Sequence, residues 1–214
     1  NIGKTSDIHL HGRVKTHTQN RYTRNMGVSV NKTSTTINKS GYLCDKPSIV
    51  RTFKKSERKN ITINGKKTVR CDYPSSSINI LYLIETGRML DRGIDGYAVD
   101  GLPREIVKSM VNRMINNKRR TDCTNAFNKY IKESATKDEK TFMQVSPLNS
   151  KDIQDAILKR HSTIAKHFYK GPDYGQRIAW VEANVVFEVA SQLAMMDVPV
   201  LTIHDEFICK NNSD

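Results

Sequence analysis

Two short segments rich in β-branched residues stand far apart in the chain, and several stretches with a helical pattern lie between them. The first, ITINGKKTVRCDY (61–73), has two extended runs around Asn64-Gly65. That dipeptide favours a type I′ hairpin, because both turn residues must take positive φ. Its second run, residues 68–71, delivers Asp72 at a strand end. The second segment, VPVLTIHDEFICK (198–210), reads as a strand over 200–203, a tight turn at His204-Asp205, and a strand over 207–209. Any sheet made from both must join parts of the chain that are distant in sequence. The expected fold class is therefore α+β, a small antiparallel sheet packed by helices.

The intervening pattern supplies those helices. Pro74 and three serines break the first strand, and residues 78–85 continue as a helix. Pro103 suits the first position of a helix reaching about residue 120. Ile106, Val107, Met110, Val111, Met114 and Ile115 form its apolar stripe, while Arg104, Lys108 and Asn112 recur on another face. Residues 121–140 are polar and read as a helix plus a loop. Ser150 is expected to cap a helix in which Ile153, Ile157, Ile164 and Phe168 share a face, ended by Gly171-Pro172-Asp173. A last helix over 176–196 is expected to turn Ile178, Val181, Val185, Val189, Leu193 and Met196 inward. There are no internal repeats.

Charge separates the first third from the rest. Residues 1–70 hold 16 Lys/Arg against 3 Asp/Glu, whereas residues 71–214 hold 19 of each. A polyanion is the natural partner for the basic third. Residues 1–57 form a basic region, irregular and partly extended, with Tyr22 and Tyr42 interleaved among cations. No apolar run reaches 18 residues, which argues against a membrane span, and the first residues show no signal peptide. Cys44, Cys71, Cys123 and Cys209 include no CxxC pair, so neither a zinc site nor a disulfide framework is indicated. A reducing, cytoplasmic setting is expected. His161 and His167 have the wrong spacing to share a metal on a helix. Cys71, Cys209 and Trp180 read as packing residues.

Two carboxylates on adjacent strands are what two-metal nucleotidyl transfer requires. Asp72 and Asp205 each follow a β-rich run, and Arg104 with Lys108 offers a cationic helix face for a triphosphate.

At these residues the chain resembles a known family. VLTIHDEF (200–207) is similar to the third palm motif of family A DNA polymerases, a hydrophobic strand followed by His-Asp-Glu. The phage-type single-subunit RNA polymerases carry His-Asp-Ser there. DYPSSSINILY (72–82) resembles the first palm motif of that superfamily, and REIVKSMVNRMIN (104–116) resembles its Arg-x3-Lys fingers helix. Residues 176–186 resemble the helix before the third motif. The motifs keep the family's chain order over about 58–209, and the nearest look is to short phage or mobile-element polymerases.

The resemblance implies that residues 58–214 are palm and helical fingers, incomplete at the C-terminus. It implies Asp72 and Asp205 as catalytic ligands of two Mg²⁺ ions, with Mn²⁺ a workable substitute, and the Tyr73 carbonyl as a further ligand. It implies nucleotide contacts at Arg104, Lys108, Ser77, Asn112 and Asn116. His204, Glu206, Gln176 and Glu182 would meet the primer and template. The implied partners are a DNA primer–template, with RNA not ruled against, and nucleoside triphosphates.

Three positions depart from the family. Ser77 stands where DNA polymerases carry Glu and RNA polymerases Gly, which leaves the sugar preference open. Asn116 replaces a Tyr, and Pro74 a Ser. Besides a DNA polymerase, the residues allow a single-subunit RNA polymerase or primase-like enzyme. They also allow a catalytically degenerate, nucleic-acid-binding replication protein.

Overall fold

The computed structural model describes residues 8–10, 36–37, 43–44, 58–63, 65–203 and 205–211. Tyr22, Tyr42, His11, His17 and His204 lie outside them, as does most of the basic region. The strands are β1 (Ile8–Leu10), β2 (Thr36–Ile37), β3 (Leu43–Cys44), β4 (Ile61–Ile63), β5 (Lys66–Asp72), β6 (Val200–Ile203) and β7 (Glu206–Lys210). The helices are α1 (Ser76–Thr86), α2 (Arg104–Asn116), α3 (Arg120–Glu133), α4 (Lys137–Val145), α5 (Ser150–Arg160) and α6 (Pro172–Met195), with 3-10 turns at Arg58–Asn60 and Ser162–His167. The class is α+β, as the patterning implies.

Five strands form one antiparallel sheet in the order β1-β4-β5-β7-β6, and β2 pairs with β3 alone. β1 is an addition that the aperiodic start of the chain does not advertise. In the β4–β5 hairpin Ile63 opposes Lys66, and Gly65 takes φ 73°, the left-handed geometry that a two-residue loop demands. β5 then pairs with β7 over its last five residues, Thr68 opposite Lys210 through Asp72 opposite Glu206. Sequence-distant hairpins are thus fused along one strand pair.

The chain divides into two compact units, Asn1–Tyr73 with Trp180–Asp214, and Pro74–Ala179. In the first, pleat alternation sends Val200, Phe207 and Cys209 to one face of the sheet, where Val186, Val189, Ala190 and Leu193 of α6 pack on them. Ile61, Leu201, Ile203 and Ile208 cluster on the other face. The inward stripe expected for α6 is rotated. Val185 and Met196 are exposed, while Ala183 and Ala190 are buried. Small residues let the helix backbone approach the sheet closely, and a reading weighted toward large apolar residues misses that. Trp180 is 54% exposed, so it is not a packing anchor. Cys71 is exposed as well, so it is not a core residue of its strand.

The second unit is helical. All six residues of the α2 stripe are buried, with Cys123 and Phe127 of α3 and Ile153 and Ile157 of α5 also in the core. The α5 cap is Asn149 rather than Ser150. The Asn149 side chain accepts from the Lys151 and Asp152 N–H groups, and the Asp152 carboxylate accepts from the Asn149 N–H, a capping box. The helix stops at His161, whose ring is wholly buried. His161 Nε2 donates to the Gly96 carbonyl at 2.8 Å, which leaves Nδ1 to accept from the Tyr82 hydroxyl at 3.2 Å. Those bonds turn the chain into the 3-10 segment, so Ile164 and Phe168 are buried from a different element than expected.

Candidate active site

The β5–β7 register brings the sequence-predicted carboxylates to one end of two adjacent strands. Asp72 is the last residue of β5 and lies directly across from Glu206, the first of β7; Asp205 precedes Glu206 in the hairpin turn. Opposed Cα atoms in an antiparallel pair are about 4.5–5.5 Å apart and consecutive ones about 3.8 Å, so the Asp72 and Asp205 Cα atoms lie within about 9 Å. Asp72 is exposed and Asp205 half-buried. Tyr73 follows at once and is 36% exposed. A corner with three consecutive or opposed acids is unfavourable unless cations share it, because directly opposed like charges repel.

Part of that compensation is built in. Glu206 is 4% exposed. Arg58 donates Nη1 to Glu206 Oε2 at 2.6 Å, and Arg70 donates Nε to Glu206 Oε1. Both carboxylate oxygens are therefore engaged by guanidinium groups. Glu206 braces the sheet, and Asp72 and Asp205 stand beside it at the same corner. Neither arginine stands out in the sequence. Arg70 is accessible by alternation, since it lies two residues before Asp72 and hence on the same face. Arg58, 148 positions from its partner, carries no local signal.

Among the described residues no three His, Cys, Asp or Glu side chains converge into a ready-made metal cage. The donor set is two carboxylates and a main-chain carbonyl, all oxygen, which suits a hard cation such as Mg²⁺ that keeps several waters.

Ser77 is half-buried in the first turn of α1. Arg104, Lys108, Asn112 and Asn116 are all exposed along α2. Arg104 donates Nε to Asp95 Oδ2 at 2.5 Å and Nη1 to Glu105 at 3.1 Å, and its guanidinium lies 5.2 Å from the centre of the Tyr97 ring. The Asp95 bond raises the Arg104 pKa. Asp95 itself is pushed up by partial burial. The Tyr97 N–H, Arg104 and Ser75 together outweigh that and hold its carboxyl below the usual range. Asn116 donates Nδ2 to the Asn112 carbonyl and side-chain oxygen at 2.8 and 2.9 Å. It also fills the space beside Gly175, where a Cβ would lie 2.0 Å from its Oδ1. Gln176 and Glu182 are half-buried on α6. Among the described residues no helix is long and apolar enough to cross a membrane.

Comparison with protein-family models, with curated proteins and with solved structures returns no match.

Proposed function

We propose that the protein is a template-directed nucleotidyltransferase that adds deoxynucleotides to a primer 3′-hydroxyl, similar in design to family A DNA polymerases. The observation that carries this reading is the β5–β7 register, which brings Asp72 and Asp205, 133 positions apart, to one sheet corner. A shared corner is what a pair of divalent cations needs from its ligands. The cations would lower the pKa of the primer hydroxyl and offset charge on the triphosphate.

The chain's own groups do the rest. Asp72, Asp205 and the Tyr73 carbonyl hold the ions. Glu206, tied to Arg58 and Arg70, fixes the start of β7 and so the backbone of the Asp205 turn. The resemblance assigns Arg104 and Lys108, both exposed on α2, to the triphosphate, through charge-assisted contacts. His204, Gln176 and Glu182 are assigned to the primer and template by the resemblance. Ser77, Asn112 and Asn116 are assigned to the nucleotide.

A second reading, an RNA polymerase or primase-like enzyme, is favoured by one residue. Ser77 is small, so it lacks the bulk that would exclude a ribose 2′-hydroxyl. Primer extension with matched dNTP and rNTP separates the two. A dNTP preference of many orders of magnitude rejects the ribonucleotide reading, and synthesis without a primer supports it. Nucleic-acid binding that weakens steeply with salt, with no incorporation under Mg²⁺ or Mn²⁺, would instead identify a non-catalytic binding protein.

A further inference from the structure

We infer that Asp95 is a positioning residue for Arg104, holding its guanidinium in a single orientation with the terminal amino edge turned toward an incoming triphosphate. The inference rests on the reading of α2 as the triphosphate-binding helix and adds a residue outside the motifs that support that reading.

The geometry is a short relay within one compact unit. Ser75 is only 4% exposed and takes φ 52°, a left-handed conformation that non-glycine residues rarely adopt. Its hydroxyl donates to Asp95 Oδ1 at 2.8 Å and accepts from the Gly96 N–H at 3.1 Å. The Tyr97 N–H donates to the same Oδ1 at 2.9 Å. Asp95 Oδ1 is thus fixed by neutral donors, and Oδ2 is left to receive Arg104 Nε. Gly96 permits the arrangement, because a Cβ there would lie 2.8 Å from Ile78 Cγ2 and push the loop off α1.

Arginine has a long side chain whose rotamer freedom must be surrendered when it grips a phosphate. Two restraints on Arg104 remove much of that freedom in advance, Asp95 at Nε and the buried Tyr97 ring below the guanidinium plane. The carboxylate meets the Nε side of the fork, so Nη1 and Nη2 remain for phosphate oxygens, the bidentate geometry that arginine favours. Nη1 also touches Glu105, which is exposed and easily displaced.

The test is a double-variant cycle on the full chain, with Asp95→Asn, Arg104→Gln and both together. Two readouts are needed, equilibrium binding of a fluorescent dNTP and steady-state incorporation. Asp95→Asn should weaken nucleotide binding and raise KM about tenfold, with kcat changed less. In the Arg104→Gln background it should change neither. Ser75→Ala, which removes one donor to Asp95 Oδ1 together with the acceptor of the Gly96 N–H, should shift KM the same way by a smaller factor. Tighter nucleotide binding by Asp95→Asn would make Asp95 a competitor for Arg104 and overturn the proposal. So would equal losses in both backgrounds, which would mean a purely structural loop. Nucleotide binding that ignores Arg104→Gln, or that the wild-type chain lacks, overturns it too. Nucleotide binding that follows the expected cycle without any incorporation supports it and defeats the polymerase reading alone.

Discussion

Replacing Glu206 by Gln tests whether the acidic corner is held by its two arginines. The substitution keeps shape and removes the charge. Glu206 is 4% exposed and receives one bond from each of Arg58 and Arg70, whose side chains are 17% and 27% exposed. Removing one partner from a fully buried ion pair costs about 3–5 kcal/mol. Here the arginines can partly rehydrate, which lowers the figure, and the substituted amide can still accept one bond. Losing the charge also relieves repulsion with Asp72 directly opposite, a gain of about 0.2–1 kcal/mol. The net expectation is a loss of about 2 kcal/mol. Urea denaturation with an unchanged slope would measure it. A loss under about 0.5 kcal/mol, the scale of an ordinary surface change, would refute the argument that these charges hold the strand pair.

Other expectations follow from named residues. Asp205→Asn should abolish incorporation while leaving DNA affinity, measured at fixed salt, largely intact; equal activity would remove Asp205 from the metal site. Lys108→Ala should raise KM for nucleotides and lower kcat, as steady-state kinetics would show, if it meets the phosphates more strongly in the transition state. Burial lowers the pKa of His161, so below the ordinary value near 6.5 the unfolded chain takes up a proton that the folded one refuses. Stability should therefore fall as pH drops below about 6.5, by up to about 1.4 kcal/mol per unit, and His161→Gln should flatten that part of the profile. Met110 is wholly buried in α2, so Met110→Ala should cost about 2–5 kcal/mol in the same denaturation assay.

Much of the architecture is written locally. Asn64-Gly65 announces its hairpin, and the α2 stripe from Ile106 to Ile115 is buried residue for residue. Both signals come from neighbours in sequence, through turn sterics and helical period. The two aspartates are legible because each ends or follows a run rich in β-forming residues. What escaped depends on distant partners. β1 has no period of its own and becomes a strand by pairing with β4. The rotation of α6 shows in Ala190, which joins Val200 and Phe207 in the core although its side chain is small. Asp95 sits in a glycine-containing loop and acquires meaning only when Ser75 and Arg104 fold against it.

The β5–β7 pairing also dictates an order of events. Residues 66–72 can curl back on β4 soon after synthesis, but their other edge must wait for residues 206–210. Closing so long a loop is entropically costly and slow, and an unfilled strand edge invites wrong partners meanwhile. The acidic corner is therefore among the last features to assemble. A nascent chain lacking residues 205–210 would carry the basic residues of β5 without the second carboxylate of the corner.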